Sequence, residues 1–246
     1  MPPFIVRPVK LEDCQQHGTH TLAELFIVEG DSASGAVTVL RNAQFQACLP
    51  MQGKPLNAIK AGSKKVMGNE LFLKLSLALG VPLLAQPKQR SASQQLSLGL
   101  EAEPQQDPLK DLRFSRVLLL FDPDADGIHI GALMLMFFSR WMQPLLTSGR
   151  IEMVRAPLFE ITWWQDAQPC KESLFAYSLA HCQAIKKKLS DQGATRIDQR
   201  HFRGLGSIDQ ALLSRTCIDP KTRLTQVMSL KDAEDPIEVF GNPQPG

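Results

Sequence analysis

The sequence lacks any long hydrophobic run. Its most apolar stretch, Ile130 to Phe138, is broken by Ser139 and Arg140. A membrane-spanning helix needs roughly 20 apolar residues, so no span is expected. The start, Met1-Pro2-Pro3-Phe4, has no basic region leading into an apolar segment, so no secretory signal is expected. An excess of one charge is also missing. With 27 Lys+Arg against 25 Asp+Glu the formal charge is +2, and nucleic-acid binding, if present, has to come from a local site. The five cysteines, Cys14, Cys48, Cys170, Cys182 and Cys217, form no Cys-x-x-Cys pair and no zinc-spaced cluster with histidine. Their odd count and scattered spacing read as reduced thiols in a cytoplasmic protein, packed as small apolar residues. There is one tyrosine, Tyr177, in a segment with no activating neighbours for a nucleophile. No Gly-x-x-x-x-Gly-Lys-Ser/Thr loop occurs, so ATP hydrolysis by this chain is not expected.

What is present is an ordinary globular balance, 43% hydrophobic and 21% charged over 246 residues. That balance argues against a disordered chain, a collagen or a coiled coil. Residues 1–21 are mixed and polar and read as a loosely structured lead-in. Leu22 to Val28 reads as a buried strand, followed by a turn at Gly30 and a helix from about Ser32. Gln46 to Met51 is a second apolar run, and Asn69 to Leu79 has helical spacing. Residues 85–111 are rich in Gln, Ser and Pro and predict a flexible insertion. Arg116 to Phe121 predicts a central parallel strand apolar on both faces. A helix over Ile128 to Leu146 and a strand over Arg150 to Glu160 follow. Strand, turn and helix in repetition predict an α/β fold over 22–160. Residues 161–246 read as a smaller C-terminal extension, with a basic stretch between His181 and Gly206 and a frayed tail from Pro236.

The chemistry concentrates at two strand ends. Asp122, Asp124 and Asp126 alternate after the central strand, which sends their side chains the same way. Close like charges repel by about 4 kcal/mol per pair at an effective dielectric near 20. Raised pKa values or a bound cation relieve that repulsion. Oxygen-only ligands favour Mg²⁺ or Mn²⁺ over Zn²⁺. Asp122-x-Asp124-x-Asp126-Gly127 also opens like a calcium EF-hand, but the twelfth position is Leu133 rather than Glu, and a strand rather than a helix precedes it. Glu29, with Asp31, ends the first strand in the same manner. If the two strands are neighbours, Glu29 faces the Asp122/Asp124 pair, an arrangement suited to metal binding and proton transfer. Asp31 reads either as a helix cap or as a ligand.

Three segments now resemble a known family. They are Glu29-Gly30-Asp31-Ser32-Ala33-Ser34-Gly35, Pro50-Met51-Gln52-Gly53-Lys54-Pro55-Leu56-Asn57 and Asp122-Pro123-Asp124-Ala125-Asp126-Gly127-Ile128-His129-Ile130. They follow the order of the TOPRIM domain in the B subunits of bacterial type IIA topoisomerases (DNA gyrase and topoisomerase IV). Ala156-Pro157-Leu158-Phe159, Arg200-His201-Phe202-Arg203-Gly204-Leu205-Gly206 and Asp219-Pro220-Lys221-Thr222-Arg223 extend the resemblance over roughly Lys10 to Val227.

The resemblance implies a Rossmann-like, four-stranded parallel sheet flanked by helices. It implies Mg²⁺, or Mn²⁺, held by the catalytic residues Glu29, Asp122 and Asp124 with Asp126 nearby. DNA contacts are expected from Lys54, Asn57, His129, Arg200 and Arg203. The implied partners are DNA, an A-subunit-like chain that brings the cleaving tyrosine, and a separate ATPase chain. Ser34, Gln52, Arg203 and Ser207-Ile208 depart from the family's usual residues. Two other readings stay open: a stand-alone metal-dependent nuclease or phosphodiesterase, and a non-catalytic module that docks on a topoisomerase.

Overall fold

A computed structural model describes residues 10–83, 107–166, 168–170 and 172–238. Five strands form the main sheet: β1 (Glu24–Val28), β2 (Gln46–Pro50), β3 (Arg116–Leu120), β4 (Ile151–Val154) and β9 (Thr225–Val227), in the order β2-β1-β3-β4-β9. The first four are parallel, as expected. The fifth strand, β9, pairs antiparallel with β4 and was not expected.

Strands β1 and β3 are buried on both faces. Leu25, Ile27, Val117 and Leu119 enter one core cluster, with Val66 of helix α2 (Ser63–Met67), Phe72 and Leu75 of helix α3 (Glu70–Leu79) and Met134 and Phe137 of helix α4 (Ala125–Trp141). Phe26, Val28, Leu118 and Leu120 point to the other face, against Val37 of helix α1 (Asp31–Leu40). That second face is also covered by Phe202, Leu205, Ile208, Leu212, Leu213 and Cys217. The packing therefore crosses the boundary drawn at residue 160, because one sheet with two apolar faces needs two covering layers. The C-terminal segment supplies much of the second.

The run from Arg150 to Glu160 is two strands rather than one. β4 ends at Val154, and β5 (Phe159–Gln165) starts a separate antiparallel sheet with β6 (Gln168–Pro169), β7 (Leu174–Ala176) and β8 (Arg196–His201). Pro157 lies in the break, where it has no amide hydrogen to offer a ladder. Helix α6 (Leu179–Asp191) packs Cys182 and Leu189 on Phe159 and Ile161 of this sheet. The helix expected over 128–146 is likewise split at Met142 into α4 and the short α5 (Gln143–Thr147).

Residues 10–21 are tied down rather than loose. Glu12 forms an antiparallel bridge to Cys48 of β2. Asp13 pairs with the buried Arg113 at 2.7 Å, and His17 lies within hydrogen-bond reach of both. Much of the insertion expected over 85–111 lies outside the described residues. Leu112 and Phe114, just beyond it, are core residues. Of the tail expected to fray, Ile237 packs against the core, and 239–246 lie outside the described residues.

At the amino ends of the strands, Glu24 is 1% exposed yet fully paired. Arg223 binds both of its oxygens, at 2.8 and 2.5 Å, and Gln46 donates to one of them at 3.0 Å. Arg223 also donates to the Ile218 carbonyl, fastening the C-terminal layer to β1. Breaking a buried ion pair from one side costs about 3–5 kcal/mol because it strands the other charge. Arg223→Met is expected to lose that much stability, and Arg223→Met with Glu24→Gln to recover part of it. Urea unfolding midpoints at constant slope check both.

Candidate metal centre

The last paired residues of β1 and β3 are Val28 and Leu120. One residue later β1 delivers Glu29, and two residues later β3 delivers Asp122, both at the carboxyl edge where parallel sheets collect function. Each strand then feeds a helix. The turn after β1 has Gly30 as the N-cap of α1, with no side-chain cap. Asp31 is therefore not the cap, and its carboxylate pairs with Lys10 at 2.7 Å. The turn after β3 uses Asp124 as the N-cap of α4, accepting from the Gly127 N–H at 2.9 Å. Gly127 has to be glycine, since a Cβ there would stand 1.9 Å from the Asp122 carbonyl oxygen.

The carboxylates are unequally satisfied. Asp122 accepts from the Leu205 N–H at 2.9 Å. Asp126 is exposed and lies 3.5 Å from the Lys54 ammonium. Glu29 has a buried oxygen, Oε2, with no hydrogen-bond partner among the described residues. Burial raises its pKa, and the charges of Asp122, Asp124 and Asp126 raise it further, against a smaller opposing pull from Lys54. Asp122 is raised as well, first by burial and then by Asp124, with the Leu205 hydrogen bond opposing. The amino ends of α1 and α4 face these groups and favour negative charge by about 0.3–1 kcal/mol each. Burial and mutual repulsion outweigh them.

This donor set fits a hard divalent cation, which would satisfy the orphaned Glu29 oxygen and offset the repulsion. Among the described residues, no three of these acidic side chains bring ligand atoms all within 4.8 Å of one another. Three direct carboxylate ligands are therefore not preassembled; Mg²⁺, which keeps several waters, would take one or two of them directly and the others through water. One group among the described residues does meet that closeness, Asp13, Cys14 and His17. The Arg113 guanidinium already fills it, 2.7 Å from Asp13 and 2.6 Å from His17, so it reads as a structural charge cluster.

The expected DNA-contacting residues are dispersed around this edge. Lys54 reaches the acidic pocket. Asn57 accepts from the Ile59 and Lys60 amides and so shapes its own loop. His129 is half-buried on the first turns of α4. Arg200 is exposed, donates to the Ser207 carbonyl and lies over Phe202, and Arg203 is exposed. Two features escaped the sequence reading. One is the Leu205 amide, a backbone group with no sequence signature. The other is a groove lined by Lys60, Lys64 and Lys65 beside the Lys54 loop, whose signal was the three lysines within six positions. Tyr177 shares a cavity of about 390 Å³ with Asp122 and Arg155. Burial pushes its hydroxyl pKa up, with Cys217 adding to that, which makes it a poorer nucleophile at neutral pH.

A carboxyl whose pKa is higher folded than unfolded costs stability as pH rises through that window, because the folded state binds the proton more tightly. Glu29→Gln removes this cost. Without metal, the variant is expected to melt above the parent near pH 7 and to lose that advantage below about pH 4. Thermal unfolding in chelator at both pH values checks it.

A family model for the Toprim domain matches residues 24–156. The DNA gyrase B subunit of Thermus thermophilus is 34% identical over 233 residues, covering 95% of this chain and 33% of that protein. The DNA gyrase B subunit of Thermotoga maritima is 32% identical over 234 residues, 95% of this chain and 32% of that protein. Its Streptomyces coelicolor counterpart is 33% identical over 236 residues, 95% of this chain and 30% of that one. The chain thus spans about a third of the length of these relatives. The family match begins at the first core strand and ends in the turn after the fourth, covering over half of the sequence, and by it the chain belongs to the Toprim-domain family.

Proposed function

We propose that this chain is a Mg²⁺-dependent, DNA-binding module that supplies the metal half of a type IIA topoisomerase cleavage–religation centre. The observation that carries the reading is the buried Glu29 oxygen, unpartnered among the described residues, facing three aspartates across the ends of adjacent parallel strands. Glu29, Asp122 and Asp124 would hold the ion, with Asp126 beside them. Mn²⁺, similar in ligand preference, would substitute. When bound, the ion offsets charge on the scissile phosphate and its leaving oxygen.

The chain's own residues do the rest. Glu29, whose pKa is raised by burial and by the neighbouring aspartates, would take up a proton and return it at Oε2 during religation. Lys54, Arg203 and the Lys60/Lys64/Lys65 groove would take backbone phosphates, with Asn57 shaping the Lys54 loop and Arg200 bracing the turn that follows Arg203. His129 would face the DNA from α4. The single tyrosine is half-buried and poorly activated, so the nucleophile would come from an A-subunit-like partner. The gyrase relatives are about three times as long. ATP hydrolysis, in this proposal, belongs to another chain or segment.

Mg²⁺ at about 100 times its Kd is expected to stabilise the parent by about 2.7 kcal/mol. Asp122→Ala with Asp124→Ala is expected to abolish that gain, and an unchanged shift contradicts the metal reading. Lys54→Ala is expected to lower the salt slope of duplex binding by about 1. In a cleavage assay with Mg²⁺, a covalent protein–DNA adduct is expected only when an A-subunit-like chain is added. Nicking by the purified chain alone, lost in Glu29→Gln, would instead identify a stand-alone nuclease. Recovery of an A-subunit without any metal-dependent chemistry would identify a docking module.

A further inference from the structure

We propose that the turn at Gly204–Ser207 positions the Asp122 carboxylate from a segment 83 residues away in the chain, through the Leu205 amide and the absent side chain of Gly204. The inference rests on the metal reading of the acidic pocket, and the turn's residues are positioning residues rather than catalytic ones.

Two contacts define the arrangement. The Leu205 N–H donates to Asp122 Oδ1 at 2.9 Å. The same carboxylate occupies the space that a side chain at Gly204 would need. A Cβ at Gly204 would stand 2.7 Å from Oδ2, closer than real Cβ atoms come, and a tight 3.3 Å from Oδ1. Any side chain there pushes Asp122 away from the amide that holds it.

The turn is itself immobilised. Phe202, Leu205 and Ile208 are buried in the cluster under β1 and β3. Between them the Ser207 hydroxyl accepts from the Arg203 N–H at 3.1 Å and donates to the Gly204 carbonyl at 2.7 Å. Arg200 donates to the Ser207 carbonyl at 3.2 Å. A carboxylate held this way keeps one oxygen on a fixed donor and presents the other in a set direction, which is how groups outside the ligand shell tune metal sites. Asp124 is held by Gly127 in the same fashion, while Glu29 has no such donor among the described residues. Gly206 is the internal control. A Cβ there would meet only the Ser32 hydroxyl, at 3.4 Å.

Mn²⁺ titration of the whole chain, followed by electron paramagnetic resonance, tests the proposal. Gly204→Ala is expected to weaken Mn²⁺ binding about tenfold or more, while Gly206→Ala leaves it near the parent. In an Asp122→Ala background, Gly204→Ala is expected to add no further loss. Ser207→Ala is expected to weaken binding in the same direction by a smaller factor, with Ser207→Thr restoring it. This pair decides the matter if Gly204→Ala does not fold. Equal affinity in parent, Gly204→Ala and Ser207→Ala overturns the proposal.

Hydrogen exchange of the Leu205 amide in chelator gives a readout that needs no metal. It is expected to speed up about tenfold or more in Asp122→Ala, and unchanged exchange overturns the positioning role. A parent that binds no Mn²⁺ but shows this acceleration would sink the metal reading and leave the Leu205–Asp122 contact standing.

Discussion

Two neighbouring parallel strands that both end in carboxylates force like charges together, and much of the carboxyl edge is arranged around that conflict. β1 and β3 run in register to Val28 and Leu120, so Glu29 and Asp122 emerge side by side. The helix termini of α1 and α4, the Lys54 ammonium and the Leu205 amide each reduce the repulsion. None removes it; burial first, and the remaining repulsion second, raise the pKa values of Glu29 and Asp122, and a buried Glu29 oxygen has no partner among the described residues. A purely structural acidic turn would gain from solvating or pairing that oxygen, since an unsatisfied buried acceptor costs about 1–3 kcal/mol.

The contrast within β1 makes the point. Glu24 and Glu29 lie five positions apart on the same run of chain. Glu24 is more deeply buried, yet Arg223, Gln46 and, at 3.8 Å, Arg116 satisfy it. That end of the sheet is a clamp holding the C-terminal layer. Glu29 is only half-buried and lacks such a clamp, and its neighbours are carboxylates. Burial alone does not separate Glu24 from Glu29; the sign of the surrounding charge does.

Much of this was legible in the sequence, for physical reasons. β1, β2 and β3 are buried and so read as largely apolar runs, and the cluster Asp122, Asp124 and Asp126 marked the turn that follows, though Asp124 caps α4 and Asp126 lies in its first turn instead of alternating along an extended segment. Features that depend on distant partners were not legible. Asp13, Arg113 and His17 look like ordinary polar residues until the fold brings them together, so residues 10–21 read as loose. The run across Pro157 looks like one strand because both halves are apolar, though they enter different sheets. The covering role of residues 202–218 was hidden because short helical turns carry little periodicity. The Leu205 amide is invisible in any sequence, and the need for glycine at Gly204 appears only once the fold sets Asp122 against it.

The site's central claim is spatial, and anomalous scattering from crystals soaked in Mn²⁺ measures it directly. The account predicts a single strong peak at the carboxyl edge of the sheet, bounded by Glu29, Asp122 and Asp124 and absent from Asp122→Ala crystals. A peak at Asp13, Cys14 and His17 instead, or none at the carboxyl edge at saturating Mn²⁺, would contradict it.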